Sequence, residues 1–287
     1  MALVADGHRA EDIAQVVFAD AAASALSREF KACLLHELVF ASVPVEEYPA
    51  LRAFAEALVS SEGHQLAVLP LCLLPAERGL RRPPGAAADR TWAVPPASLG
   101  RFVEPELLAS PAALRRTVGI DMTEITDMPS TEAMGAAVRQ WCSESNGVFA
   151  VQEFWSPDPV SPDDFTAVFQ RLPLTAWPEG EVPARVFPAT SDTVLRVLLT
   201  AAALRSAYGS GPHGAYGRLA AWRSLAGLTG VPADTPPAET AGLVERTHWF
   251  RLAPVSDWFH GVAWDLAVAA LRPGGQEIAV LTAADTD

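Results

Sequence analysis

A histidine and an aspartate near the C-terminal end of the chain have the spacing of an acid–base pair. Asp257 lies three residues before His260, in a segment from 257 to 271 that we predict to be helical, so both side chains would share one helical face. A carboxylate in this position can orient an imidazole for proton transfer, which makes both residues candidate catalytic groups. We favour a structural role for these residues over a catalytic one, because Ser256 is a suitable N-cap and Asp257 suits the positive end of the helix dipole.

Arginine and tryptophan side chains on a second predicted helix have the types that dominate binding sites. Trp222 follows Arg218 by one helical turn, and Arg223 comes next. An arginine stacked on an indole can receive an anionic or planar ligand, and we include Trp258 and Trp264 in this candidate ligand site. The alternative is that the indoles fill the core with the arginine stem packed along them, and we prefer it.

The glycine-rich segment from Gly209 to Gly214 has the G-x-G-x-x-G spacing of dinucleotide-binding loops. Such loops follow a β-strand, whereas residues 193–208 have helical periodicity and many alanines. We therefore interpret the segment as the end of one helix and the start of the next, and we predict no cofactor. Because no histidine, cysteine or carboxylate has neighbours at the spacing of zinc ligands, the sequence predicts no zinc site, and we predict no metal.

The chain is strongly acidic. It has 287 residues and a formal net charge of −13 at pH 7. Nucleic-acid-binding proteins normally carry a basic domain or stripe, so this composition argues against nucleic acid as a partner. Carboxylates cluster at Asp121, Glu124 and Asp127, and again at Asp285 and Asp287. Such groups can bind a divalent cation, but an acidic loop and a solvated C-terminus are the preferred interpretation.

The sequence predicts a cytoplasmic protein with no membrane segment. Asp6, Glu11, Asp12 and Asp20 interrupt the N-terminal residues, which therefore lack the apolar stretch of a signal peptide. No window reaches the length of about 18 apolar residues that a membrane-spanning helix needs. The 3 cysteines are far apart in apolar patterns and are predicted to be reduced, buried thiols.

Apolar periodicity, capping residues and turn residues predict the elements that position these side chains. Helices are predicted within residues 10–41 and 45–60, and at 131–145, 161–172, 190–208, 213–228, 235–246 and 257–271. Strands are predicted at 65–74, 148–155, 184–187, 248–252 and 277–282. This order predicts an α+β fold: a mixed sheet with helices packed on its faces, helix-rich overall, with a helical N-terminal portion.

A proline- and alanine-rich stretch divides the chain. Residues 78–100 have the composition of a long surface connection. It separates a helical N-terminal portion with one strand, residues 1–77, from an α+β main domain, residues 101–287. The same composition is also compatible with one domain crossed by a long loop.

Several segments in the C-terminal half resemble one bacterial family. They run from Trp141 to Gly147, from Gly214 to Gly227, and from Trp258 through Trp264, Asp265 and Asp285 to Asp287. Together they are similar to the family catalogued as domain of unknown function 6183, over roughly residues 141–287. The resemblance implies no activity and no site residues.

Two functions from different classes fit these observations. We expect a cytosolic binding or accessory protein that recognises a protein partner through an acidic, tryptophan-bearing surface. The alternative is a cofactor-independent enzyme for a small anionic metabolite, with Arg218 holding the anion and Asp257 and His260 transferring a proton. The enzyme requires Arg218 and His260 to converge in one pocket, whereas the binding protein requires an exposed apolar patch.

Overall fold

Helices and one antiparallel sheet make up the computed structural model, which describes residues 9–19, 27–60, 63–80, 121–178, 185–203, 213–261 and 264–286. The strands are β1 (Thr123–Glu124), β2 (Val148–Trp155), β3 (Val186–Ala189), β4 (His248–Leu252), β5 (Trp264–Leu271) and β6 (Glu277–Asp285). The α-helices are α1 (Ala10–Ile13), α2 (Arg28–Phe40), α3 (Pro49–Ser60), α4 (Met128–Met134), α5 (Arg139–Glu144), α6 (Phe165–Phe169), α7 (Ser191–Ala203), α8 (His213–Leu228) and α9 (Pro237–Arg246).

The α+β class and the helical N-terminal part are confirmed, but the sheet is antiparallel rather than mixed. Its order is β1-β2-β6-β5-β4-β3, and each pair of neighbours is antiparallel. β5 and β6 are joined by a tight turn in which Gly274 and Gly275 adopt φ of +97° and +75°, conformations that glycine reaches without strain. Strands of antiparallel sheets usually alternate apolar and polar residues, whereas strands of parallel sheets are apolar throughout. The antiparallel strands here contain continuous apolar runs because both faces of the sheet are covered.

The two faces of the sheet carry different layers. On β5, Val268 and Ala270 belong to a core that includes residues of α7 and α8. The alternate residues Ala269 and Leu271 belong to a second core that contains Phe165 of α6. Because side chains of a strand alternate between faces, β5 is buried on both sides.

Burial on both faces explains why the predicted helix over 257–271 is wrong. Residues 256–261 form a turn, and β5 begins at Trp264. A strand that is apolar on both faces lacks period-2 alternation, and the alanines of this segment favour a helix locally. Pairing with β4 and β6 overrides that preference.

Most other elements lie where the sequence predicts them, including β2, β4, β6, α8 and α9. The predicted strand over 65–74 is wrong, because the segment contains a 3-10 helix, Gln65–Val68, and Pro70 cannot donate to a strand ladder. The predicted helix over 131–145 is two helices, α4 and α5, separated by a 3-10 turn. Its N-cap is Asp127, whose side chain accepts from the backbone nitrogen of Ser130, instead of Ser130 itself.

Residues of the N-terminal portion share a core with the C-terminal helices. Ala32 and Phe40 of α2 and Leu58 of α3 pack in the same cluster as Leu198 of α7 and Leu225 of α8. The connection at 78–100 lies mostly outside the described residues, so the division of the chain there stays a prediction, as does the glycine-rich segment 209–212.

The cysteines are free thiols, as predicted, but they are not all buried. Cys33 is buried, whereas Cys72 and Cys142 are exposed. Burial, followed by the neighbouring Glu29 carboxylate, raises the pKa of Cys33 to about 12, which keeps this thiol protonated. Among the described residues, no helix combines the length and the apolar character needed to cross a membrane.

Candidate functional site

Arg218 and Trp222 lie one turn apart on α8, as predicted, and both bind the buried carboxylate of Glu77. The Nε of Arg218 donates to Glu77 Oε1 at 2.6 Å, and its Nη2 donates to Oε2 at 2.7 Å. The indole nitrogen of Trp222 donates to Oε1 at 2.8 Å. The guanidinium also donates to the carbonyls of Pro70 and Cys72, at 2.9 and 3.0 Å. A buried ion pair with full hydrogen bonding therefore fastens α8 to the segment around Glu77.

His36 completes this cluster as a neutral side chain. Its Nε2 lies 3.2 Å from the carbonyl oxygen of Leu66 and must carry the hydrogen, so its Nδ1 accepts from Arg218 Nη1 at 3.4 Å. Burial, and then the Arg218 cation, lower the pKa of His36 to about 3. With these contacts, each N–H of Arg218 has an acceptor in the protein. This supports the core interpretation of Arg218 and Trp222 over a ligand role.

Asp257 and His260 lie in a turn instead of on one helical face, and both side chains are exposed. Phe259, between them, packs in the core on the side of the sheet opposite α8. Arg218 is buried among helices on the α8 side. The structure therefore does not bring Arg218 and His260 together in one pocket.

An acidic side chain that is close enough to His260 to be affected by its charge is Asp265, at the start of β5. Asp265 is 3% exposed, and its Oδ1 has no hydrogen-bond partner. Burial raises the pKa of Asp265 to about 6, against the opposing effects of a backbone hydrogen bond from Gly261 and the charge of His260. Asp265 has no signal in the sequence as a partner of His260, because residues 257–271 are predicted to form one helix.

The most exposed tryptophan of the described residues is not one of those in the predicted ligand site. Trp258 and Trp264 are half-buried, and Trp258 packs edge-on against Phe259 with ring centroids 4.8 Å apart. Trp155, at the end of β2, is 39% exposed. It is the most exposed tryptophan in the described ranges.

A cleft of about 780 Å³ lies at the edge of the sheet where β1 pairs with β2, and it is lined by Glu153, two residues before Trp155 on β2. Its walls come from residues 125–139, from Glu153 of β2, from the end of α8 and the turn that follows it, and from Arg272 after β5. Four segments that are distant in sequence therefore build it.

The guanidinium of Arg272 is held in the wall of this cleft by two carboxylates and two backbone carbonyls. It forms ion pairs with Glu153 and Glu277. Its Nε donates to the carbonyl of Leu228 at 3.1 Å, and its Nη2 donates to that of Gly227 at 2.8 Å. These carbonyls belong to the last turn of α8, where a cation complements the negative end of the helix dipole.

We expect Gly230→Ala to lower the free energy of unfolding by about 1–3 kcal/mol, measured by urea denaturation. Gly230 has φ of +84°, and an added Cβ would lie 3.0 Å from the Arg272 guanidinium. Gly63→Ala is the matched control, because Gly63 has φ of +87° and no atom within 4 Å of an added Cβ. Equal losses in the two variants would show that contact with Arg272 adds nothing.

Two other arginines line the cleft without a carboxylate partner among the described residues. The guanidinium of Arg223, a half-buried residue on α8, makes no hydrogen bond or ion pair with the described residues. Arg139 of α5 donates to the backbone carbonyl of Glu132 at 3.3 Å. The exposed carboxylates of Glu132 and Asp234 also line the cleft. Groups of both signs are therefore available to a ligand.

Exposed apolar side chains extend the cleft outward. Ile125, which lines the cleft, is 44% exposed, and Met128 at the start of α4 is 70% exposed. Trp155 lies two residues beyond Glu153 on the same face of β2. We call the cleft together with Ile125, Met128 and Trp155 the edge surface.

Part of the edge surface had a signal in the sequence. Arg223 belongs to the arginine–tryptophan set on α8, and the acidic group that contains Glu124 and Asp127 precedes α4. The position of Trp155 opposite Thr123 had no signal in the sequence, because this pairing joins two residues that are separated by 31 others.

Comparison with known proteins places the chain in a family and no further. No curated protein and no solved structure matches it. The model of the family of unknown function DUF6183 matches residues 1–287, so the similarity that the sequence shows over roughly residues 141–287 extends through the whole chain. The chain belongs to the DUF6183 family.

Proposed function

We propose that this protein is a binding module that recognises a partner protein at the edge surface. The observation that carries the proposal is the exposure of Trp155, Ile125 and Met128 beside a cleft of about 780 Å³. Apolar side chains of this size cost free energy in water, and tryptophan is enriched at binding hot spots. Arg223 and Arg139 supply further side chains of the hot-spot type.

The charges around the edge surface favour a basic partner segment. Asp127, Glu132 and Asp234 line the cleft with exposed side chains, against the two arginines that have no carboxylate partner. The whole chain also carries a formal net charge of −13. Complementary charge accelerates association and makes it sensitive to ionic strength. A segment with apolar and basic side chains would satisfy both features.

The cytoplasm is the compartment that we propose for this recognition. Cys33, Cys72 and Cys142 are free thiols, and two of them are exposed. Exposed, unpaired thiols fit a reducing environment better than an oxidising one.

The test uses a photoreactive phenylalanine analogue placed at Met128, with the same analogue at Val255 as the matched control. Val255 is 44% exposed but lies in the loop after β4. After irradiation in the native host, we expect a discrete protein adduct from position 128, reduced at least several-fold by Trp155→Ala. Identical adducts from both positions, or an adduct insensitive to Trp155→Ala, would contradict the proposal.

A second candidate function rests on Asp265. A buried carboxylate with an unpartnered oxygen and a raised pKa, next to an exposed histidine, is an arrangement used for proton transfer. In an enzyme, Asp265 and His260 would exchange a proton with a small substrate. Incubation of wild-type protein with a small-molecule extract of the host would then consume a metabolite that Asp265→Asn leaves intact. Equal consumption by both proteins would exclude this role.

A further inference from the structure

A second cavity, separate from the edge surface, lies in the N-terminal portion of the chain. Its volume is about 390 Å³, and it is bounded by α2, α3 and residues 66–71. Most of its wall is aliphatic: Leu35, Ala55, Leu58, Leu66, Leu69 and Leu71. The space exists because 66–71 runs as a 3-10 turn and extended chain instead of a regular element that could pack closely on α3.

The buried polar group in this wall has no capacity left for a ligand. His36 lines the cavity, but its Nε2 is bound to Leu66 O and its Nδ1 faces Arg218 Nη1. Burial and the Arg218 cation keep this imidazole neutral by lowering its pKa to about 3. A polar ligand group inside the cavity would lose its hydrogen bonds to water and gain none. The buried part of a ligand must therefore be apolar.

The charged groups of the cavity lie along the exposed side of α3. The side chain of Arg52 is exposed, and its guanidinium makes no hydrogen bond or ion pair with the described residues. Glu56, one turn later, and Ser60 also line the cavity, and Ser60 Oγ donates to the Glu56 carbonyl. The uncommitted Arg52 guanidinium is suited to an anionic head group that stays in contact with water. Val59, 69% exposed, makes the same side of α3 apolar.

We propose that this cavity binds an aliphatic carboxylate of about ten carbon atoms, with the chain against the leucines and the carboxylate at Arg52. An apolar cavity of about 150 Å³ holds benzene, so a volume of about 390 Å³ suits roughly ten to fifteen carbons, fewer when part of it forms the mouth. The tail gains from leaving water, and the head keeps its hydration and one charge contact.

The test is calorimetric titration of the full chain with decanoate, below its micelle concentration. We expect saturable 1:1 binding. Ala67→Phe, which places a ring in the cavity wall, should weaken that binding at least tenfold, whereas the matched control Ala57→Phe, on an exposed position of the same region, should leave it unchanged. Thermal unfolding of both variants separates loss of the cavity from loss of the fold.

Head-group variants test the carboxylate. Arg52→Gln does not alter the core, and we expect it to weaken decanoate binding about 2- to 5-fold, the size of an exposed ion pair. Glu56→Gln should not weaken it, because Glu56 repels the carboxylate. Absence of decanoate binding, equal binding to Ala67→Phe and Ala57→Phe, or binding of decanol as tight as decanoate with no effect of Arg52→Gln would each overturn the proposal.

Discussion

Arg218→Met is expected to lower the free energy of unfolding by about 3–5 kcal/mol in urea denaturation at pH 7. The substitution leaves the Glu77 carboxylate, which is 0% exposed, without the cation that balances it. It also removes the hydrogen bonds to the carbonyls of Pro70 and Cys72. An uncompensated buried charge is among the most destabilising changes a core can undergo.

The double variant Glu77→Met, Arg218→Met separates this charge effect from lost packing. Removal of both charges should restore part of the lost free energy, so that the two substitutions are strongly non-additive. Arg9→Met is the surface control, because Arg9 and its partner Glu11 are 79% and 70% exposed, and its effect should not exceed about 1 kcal/mol. If Arg218→Met were as mild as Arg9→Met, the cluster would not hold α8 in place.

Asp265→Asn is expected to stabilise the protein at pH 8 by up to about 3 kcal/mol and to leave it nearly unchanged at pH 4. The pKa of Asp265 is raised from its ordinary value of 3.8 to about 6, chiefly by burial. A carboxyl group whose pKa is raised on folding stabilises the folded state, and this contribution is complete below pH 3.8. It disappears as the pH rises through about 6. The asparagine variant has no charge to bury and keeps its stability over that range.

Unfolding curves at several pH values between 4 and 8 measure this difference. Asp163→Asn is the control, because Asp163 is exposed, and it should shift stability little at any of these pH values. A constant loss of stability from pH 4 to pH 8 in Asp265→Asn would mean that the carboxylate acts through fixed hydrogen bonds. A protein that retains a destabilising buried acid is consistent with a role for that acid in function.

Local signals in the sequence were sufficient for most elements. The Ala- and Leu-containing periodicity of α8, the turn at Gly274 and Gly275, and the apolar run of β6 each depend on residues close in the chain. The segment of β5 is predicted wrongly because its conformation does not depend on residues close in the chain. Its alanines favour a helix over short range, whereas two neighbouring strands and a core on each face decide its conformation.

The candidate sites depended on contacts that no local pattern contains. The sequence correctly placed Arg218 one turn from Trp222, but their common partner Glu77 is separated from Arg218 by 141 positions. The edge surface likewise joins Trp155 of β2, Arg223 of α8 and Arg272 of the turn after β5.

The sequence by itself therefore determined the α+β class, the helical N-terminal portion, the glycine turn between β5 and β6, and the acidity of the chain. Only the tertiary structure decided which arginines pair with buried carboxylates, which tryptophan of the described residues is most exposed, and that the buried Asp265 lies near His260. Burial and pairing of charged groups are set by residues that are distant in the chain and meet in the fold, and the free energies of these groups depend on that environment rather than on residue type.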